Sequence, residues 1–259
     1  MNSNQTALIT GASAGLGGEF VEQLASRGYD VALTARSADA MRALAEEISG
    51  RHGVRATVHP QDLSQPGSAD QLLEDLDAQD VKPDVLVNNA AFGLHGAFID
   101  YDAAKLTAML QLNMVTLAEL THRLGKRMFE SRGGHILLVG SGAAFQPTPT
   151  MAGYGATKAF LLSLGEALNI ELAPKVKVSV VSPGTMDTGF NTVSGFTPPP
   201  ALERLTLPVS DVAKAGLDAM FAGTPNVVPG FGNKLGAFSS KILSRHAAAK
   251  MFMRMAAGD

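Results

Sequence analysis

The chain has 259 residues, 46% of them hydrophobic and 17% charged, with a formal net charge of −3. That is apolar material for a large core in one α/β domain, and a balance too near neutral for a nucleic-acid surface. No cysteine is present, which removes disulfides, thiolate metal sites and a cysteine nucleophile and fits a reducing, cytoplasmic setting.

Met1–Gln5 is short and polar and leads directly into an apolar run, so no signal peptide is expected. No apolar run approaches the ~20 residues of a membrane-spanning helix. Asn4-Gln5-Thr6 matches a glycosylation sequon and, without a secretion signal, reads as chance.

Along the first two-thirds, strand-like apolar runs (Ala7–Thr10, Val31–Thr34, Ala56–His59, Val85–Asn88, His135–Val139 and Val176–Val181) alternate with helical patterns. The helical stretches are Gly17–Arg27, Ala40–His52, Ala69–Asp77, Ala104–Glu130 and Tyr154–Leu172, the fourth long enough to hold two pieces. Continuous apolar strands, each followed by a helix, predict a doubly wound parallel sheet in a three-layer α/β/α arrangement, the Rossmann fold. Such a sheet binds ligands at the carboxyl ends of its strands.

The expected organisation is one domain over residues 1–259, with a cofactor-binding and catalytic core over 1–183. Residues 184–208, rich in Gly, Thr, Pro and Phe, read as a long loop over the substrate site. Ser210 is placed to cap a helix through Phe221, and Val227-Val228 to form a last edge strand.

The first strand runs into Thr10-Gly11-Ala12-Ser13-Ala14-Gly15-Leu16-Gly17, with a helix after it. Glycines here turn the chain, let a pyrophosphate approach bare backbone and pack the helix against the sheet. The helix N-terminus then offers N–H donors and a positive dipole end to phosphate. No Gly-Lys-Ser/Thr ending is present, so this is not a Walker A loop. The spacing T-G-x-x-x-G-x-G resembles that of the short-chain dehydrogenase/reductase family in its compact form. The resemblance implies a dinucleotide site touching Gly11, Ser13, Gly15, Leu16 and Gly17.

The second strand ends Leu33-Thr34-Ala35-Arg36-Ser37. An acid in this region takes the ribose hydroxyls of NAD, whereas a base accommodates the phosphate of NADP. Ala35 stands where the family's NAD users carry Asp, and Arg36 can grip a phosphate bidentately; the plainer reading of Arg36 is a solvated loop residue. NADP(H) is the expected cofactor, with Ser13 a second donor to its phosphate. Asp62-Leu63 is similar to the family's adenine-contacting pair, although Asp62 alone would read as a turn residue.

In Tyr154-Gly155-Ala156-Thr157-Lys158, residues four apart share a helix face, which puts the Lys158 ammonium beside the Tyr154 phenol. A phenol with a pKa of ~10 is a poor acid–base group at neutral pH, and a nearby cation favours the phenolate. Ser141 lies thirteen residues upstream at the end of a strand, a spacing that resembles the family's Ser and Tyr. Asn113 matches the family's structural and catalytic Asn, implied to help hold a proton-relay water near the lysine. Asn88-Asn89-Ala90 resembles its N-N-A-G motif, and Pro183-Gly184 with Thr188 its loop over nicotinamide. The resemblance therefore implies catalysis by Asn113, Ser141, Tyr154 and Lys158, and cofactor contacts from Asn89, Ala90, Tyr154, Lys158, Pro183, Gly184 and Thr188. Two departures stand out: Ala91 replaces the motif's last glycine, and Gly140 stands where a serine often precedes the catalytic one.

The expected reaction is hydride transfer between nicotinamide and a ketone, aldehyde or secondary alcohol. Tyr154 exchanges the proton, Ser141 orients the oxygen, and Lys158 lowers the tyrosine pKa and holds the ribose. Expected pocket walls are Phe92, Leu94, His95, Phe98, Phe145, Met151, Phe190 and Phe196, suited to a hydrophobic substrate; core packing is the alternative for each. The six histidines have no metal-ligand spacing, so no metal is expected, and Ser141 is not in a G-x-S-x-G elbow.

A non-catalytic NADP(H)-sensing protein on this fold would not need all four candidate catalytic groups together. An epimerase or dehydratase of the extended branch expects another glycine spacing and a larger C-terminal domain. The family implies a homodimer or homotetramer.

From Gly232 to Asp259 the tail carries Lys234, Lys241, Arg245, Lys250 and Arg254 against Asp259 alone. Leu235, Phe238, Ile242 and Leu243 recur at helical spacing, with Met251, Phe252, Met253 and Met255 beyond. Packing on the pocket or a subunit is the favoured reading. Contact with an anionic membrane surface is the alternative.

Overall fold

Ala7 and Ile9 of strand β1 (Thr6–Thr10) point to one face of a sheet and Leu8 to the other, and all three are fully buried. That alternation repeats through the sheet and is what lets helices cover both of its faces. The computed structural model describes residues 5–257, with the side chains of Thr192, Ala201, Ser240–Ile242 and Met255–Ala257 excepted. Asn4 of the sequon and Asp259 lie outside the described residues, as do the side chains of Lys241, Ile242 and Met255.

After β1 come α1 (Gly15–Ala25), β2 (Asp30–Thr34), α2 (Ala38–His52), β3 (Ala56–Val58), α3 (Ser68–Ala78) and β4 (Pro83–Asn88). Then follow α4 (Ala103–Leu110), α5 (Leu117–Glu130), β5 (Gly134–Val139), α6 (Ala152–Glu171) and β6 (Val176–Val181). The chain continues through α7 (Phe190–Ser194), α8 (Pro200–Glu203), α9 (Val209–Ala222), β7 (Asn226–Val227), α10 (Phe231–Ile242) and α11 (Arg245–Ala257). All pairings are parallel, in the order β3-β2-β1-β4-β5-β6-β7.

One face carries α1, α2 and α9 through Phe20, Leu24, Met41, Ile48, Leu217 and Met220. The other carries α3, α5 and α6 through Leu72, Leu76, Leu120, Leu124 and Leu161. This is the doubly wound α/β/α fold read from the sequence. Chain order reverses between β1 and β4, and ligands bind outside the strand ends at such a switch. Among the described residues no helix is long and apolar enough to cross a membrane.

Several local expectations need correction. Strand β3 stops at Val58, one residue short of expectation; the His59 N–H still donates to the Leu33 carbonyl (2.8 Å), and its buried ring bonds Thr57 Oγ1 (2.9 Å) and Asp75 (2.5 Å). Between α4 and α5 lies a π-helical turn, Gln111–Thr116, so the long helix does divide, around Asn113. The loop 184–208 has structure of its own, namely α7, α8 and a bridge between Met186 and Leu207. Ser210 caps nothing: α9 starts at Val209 after Pro208, and the Ser210 carbonyl accepts from Gln23. The edge strand β7 lies one residue earlier than expected.

Candidate active site

At the ends of β1 and β4, the Thr10 hydroxyl accepts from the backbone N–H groups of Asn89 and Ala90, both at 2.9 Å. The Asn89 amide donates in return to the carbonyls of Thr10 (2.9 Å) and Gly11 (3.2 Å). Asn88 ties the same strand end to α5 through Leu117 and Thr121. These bonds hold open the floor of a cleft of about 810 Å³ that runs across the switch point.

One end of the cleft is lined by Gly11, Ser13, Ala14, Gly15, Leu16 and Gly17. A Cβ on Gly17 would collide with the Gly11 carbonyl oxygen, so only glycine allows this approach of loop and helix. Helix α1 has no side-chain cap at Ala14 and no acid in its first turn. Its first N–H groups and positive dipole end therefore have no side-chain partner of their own at the cleft. Arg36, Ser37, Asp62 and Leu63 line the cleft beyond them. Arg36 is exposed, and among the described residues no carboxylate lies within ion-pair distance of it. Burial acts to raise the Asp62 pKa, but hydrogen bonds from Ser64 and Gln65 and the Arg36 charge hold it below the usual range. A glycine-lined helix N-terminus fits the pyrophosphate of a dinucleotide.

Across the cleft, Ser141 follows β5, and Tyr154 and Lys158 share the first turns of α6; all three line the wall. The Ser141 hydroxyl accepts from the Ala143 N–H at 3.1 Å and hydrogen-bonds the Tyr154 phenol. Lys158 Nζ donates to the Val139 carbonyl at 2.7 Å and lies 5.7 Å from the centroid of the Tyr154 ring. Burial pushes the Tyr154 pKa up to about 12, the Ser141 hydrogen bond working the other way. Burial also brings Lys158 down to about 8. The phenol therefore stands above its ordinary value and not below it, where the lysine was expected to bring it, since burial dominates and only the Ser141 bond opposes it.

The Asn113 side chain forms a clamp in this wall. Its amide donates to the Phe92 carbonyl (2.9 Å) and the Thr157 hydroxyl (3.1 Å), and its oxygen accepts from the Phe92 N–H (3.2 Å). Both amide donors are used in fastening the segment after β4 to α6, with neither directed to Lys158. The π turn carries this buried amide between the two.

Ala90, Ala91, Phe92, Phe145, Met151, Phe190 and Phe196 line the cleft, and the Phe190 ring lies 5.2 Å from that of Tyr154. Pro183, Gly184 and Thr188 line it too, the Thr188 side chain within 3.6 Å of where a Gly15 Cβ would stand. Three expected walls are elsewhere. Leu94 packs behind Met151, His95 is exposed against Phe196, and Phe98 is 55% exposed against Tyr101. At Gly140 a serine would be crowded, since a Cβ there stands 3.0 Å from Ser182 Oγ and from Val180.

Residues 5–195 match the family described as short chain dehydrogenase. The chain belongs to the short-chain dehydrogenase family.

Its relatives include the probable oxidoreductase EphD of Mycobacterium tuberculosis, 30% identical over 216 residues. That match takes in 83% of this chain but only 36% of the relative, so this chain spans about a third of that relative's length. The 3-oxoacyl-[acyl-carrier-protein] reductase FabG of Aquifex aeolicus is 30% identical over 190 residues, 73% of this chain and 77% of the relative. Among solved structures, a short-chain dehydrogenase from Sphingobium yanoikuyae in complex with NADPH is 29% identical with a TM-score of 0.81, covering 92% of this chain and 93% of that one.

Sequence reasoning about this short-chain dehydrogenase missed the far wall of the cleft. Leu202 and Leu205 line it from the segment around α8; Asn233, Gly236 and Ala237 from α10; and Met251 and Phe252 from α11. The tail's pocket-packing reading thus describes one side of these helices. Phe252 at 9% exposure was in view only as part of a helical stripe. No local pattern says which element such a stripe meets.

Proposed function

We propose that this oxidoreductase is an NADP(H)-dependent reductase of an apolar ketone or aldehyde, with Tyr154 as the proton donor. The observation that carries the reading is the buried Tyr154–Lys158 pair, with Ser141 half-buried beside it, facing an apolar wall in the cleft that begins at the glycine loop. Arg36 at the end of β2, with Ala35 in place of an acid, supports NADP(H) over NAD(H). The NADPH complex of the Sphingobium relative supports it further.

The reduced nicotinamide supplies the hydride when bound. This chain's residues handle the oxygen and the proton. With its pKa raised to about 12, Tyr154 is a neutral phenol at physiological pH, the state a donor to a developing alkoxide needs. The Ser141 hydroxyl, already bonded to that phenol, orients the same oxygen. Lys158, with a pKa of about 8, keeps its proton near neutrality and stabilises the phenolate left by the transfer. Its three N–H donors include one spent on Val139, and the others suit ribose hydroxyls. Asn113 holds the wall in place. Phe92, Phe145, Met151, Phe190 and Phe196 exclude water and accept an apolar group, and an acyl chain, as in the FabG relative's named substrate, is one such group.

The test is oxidation of NADPH and of NADH against a panel of ketones graded from short to long-chain and ring-containing, for the wild type and Tyr154→Phe. The expected result is higher kcat/KM with NADPH and with larger apolar ketones. Tyr154→Phe should keep its NADPH affinity and lose roughly a hundredfold or more in turnover. A wild type that favours NADH, or a phenylalanine variant with substantial turnover, would overturn the reading.

A further inference from the structure

Helix α10 has two unlike sides. Gly232, Asn233, Gly236, Ala237 and Ser239 line the cleft. About half a turn away, Phe231, Leu235 and Phe238 recur at spacings of four and three on the outer side, 83%, 59% and 59% exposed. Helix α11 is built alike, with Ala248 and Phe252 buried and Met253 47% exposed.

Charge follows the same outer surface. Lys234, Arg245, Lys250 and Arg254 are exposed, and none forms an ion pair among the described residues. Residues 231–257 contain no Asp or Glu, although the chain as a whole is net negative. Two helices thus join an outward apolar stripe to uncompensated positive charge.

We propose that the outer surface of α10 and α11 docks on an anionic lipid bilayer, lying in the interface without spanning it. Large exposed apolar side chains flanked by Lys and Arg are what an interfacial helix presents to headgroups and acyl chains. Charge complementarity favours this occupant over a second copy of the chain. A two-fold contact places the same patch on both subunits, and here would bring together two copies of a surface whose residues 231–257 hold Lys234, Lys250 and Arg254 and no acid.

The experiment is flotation with vesicles of phosphatidylcholine alone or mixed with phosphatidylglycerol. It compares the wild type with Leu235→Ser/Phe238→Ser and with Lys234→Glu/Lys250→Glu/Arg254→Glu. The wild type should bind the mixed vesicles, weakly or not at all the neutral ones, and less as salt rises. Each variant should lose about tenfold or more in binding, at unchanged melting temperature. If the serine variant does not fold, the charge variant, altered only at exposed positions, decides alone. Equal binding to both vesicle types, or no binding by the wild type, overturns the proposal. So does sedimentation showing a wild-type oligomer that Leu235→Ser/Phe238→Ser dissociates, which would give this surface to a second copy.

Discussion

Lys158 Nζ and the Val139 carbonyl oxygen meet at 2.7 Å, joining the first turns of α6 to the end of β5. Among the described residues this ammonium has no carboxylate partner, and burial alone accounts for its lowered pKa of about 8. A neutral carbonyl replaces only part of the water a buried cation gives up. Holding the Lys158 charge in this site therefore carries an electrostatic cost, as functional groups often do.

That cost predicts a pH-dependent gain for Lys158→Met, a replacement of similar length without the charge. With a folded pKa of about 8 and an ordinary value of 10.5, the lysine disfavours folding by about 3 kcal/mol below pH 8. Between these values the unfolded chain binds more protons, so wild-type stability rises with pH. Urea unfolding should find the variant the more stable at pH 7, with the gap closing toward pH 10, and Tyr154 contributing alike to both proteins. A variant less stable than the wild type at pH 7 would show that Lys158 is compensated.

For cofactor choice, Arg36→Ala should weaken NADPH by about ten- to a hundredfold, the scale of one charge-assisted contact, and leave NADH nearly unchanged. Adding Ala35→Asp should reverse the preference, since a carboxylate there repels a phosphate. Binding titrations of both cofactors decide it. Equal losses for the two would mean Arg36 shapes the loop and does not read the phosphate.

Asn113→Ala should cost about 3 kcal/mol, because it strands the Phe92 N–H and carbonyl, while the Thr157 hydroxyl keeps its bond to the Tyr154 carbonyl. Turnover should fall through misplacement of the cleft wall, with KM for large ketones rising. Full stability combined with lost turnover would place Asn113 in the proton path and not in the clamp.

Much of the fold was legible because strand and helix periods are local properties. Ala7–Ile9 and Ile136–Leu138 are buried runs bounded by helix signals, and such runs form parallel strands. The glycine loop and the Tyr154–Lys158 pair were legible because their spacing is their geometry. What stayed hidden depends on distant packing. That the Asn113 side chain clamps the segment after β4 to α6 shows only once Phe92 and Thr157 are seen on either side of it. Thr150 just before α6 has φ 68, a left-handed conformation that no threonine advertises in sequence. Leu94, His95 and Phe98 sit in one short stretch, yet each packs on a different neighbour, the Met109–Met151–Tyr154 cluster, Phe196 and Tyr101 respectively, and none of the three lines the cleft.

The far wall gives the last prediction. Phe252 on α11 is almost fully buried and lines the cleft, although it lies nearly a hundred residues after Tyr154. Burying an aromatic side chain against a ligand is worth at most about 3 kcal/mol, and the contact with one substrate group a fraction of that. Phe252→Ala should therefore raise KM by roughly tenfold for a long-chain or ring-containing ketone, with kcat within about twofold. A short ketone that reaches only Tyr154 and Phe190 should show little change. Steady-state kinetics on the two substrates separate the possibilities. An equal rise for both would mean that α11 acts by holding the loop around α8 in place, and no rise for either would remove α11 from the substrate site.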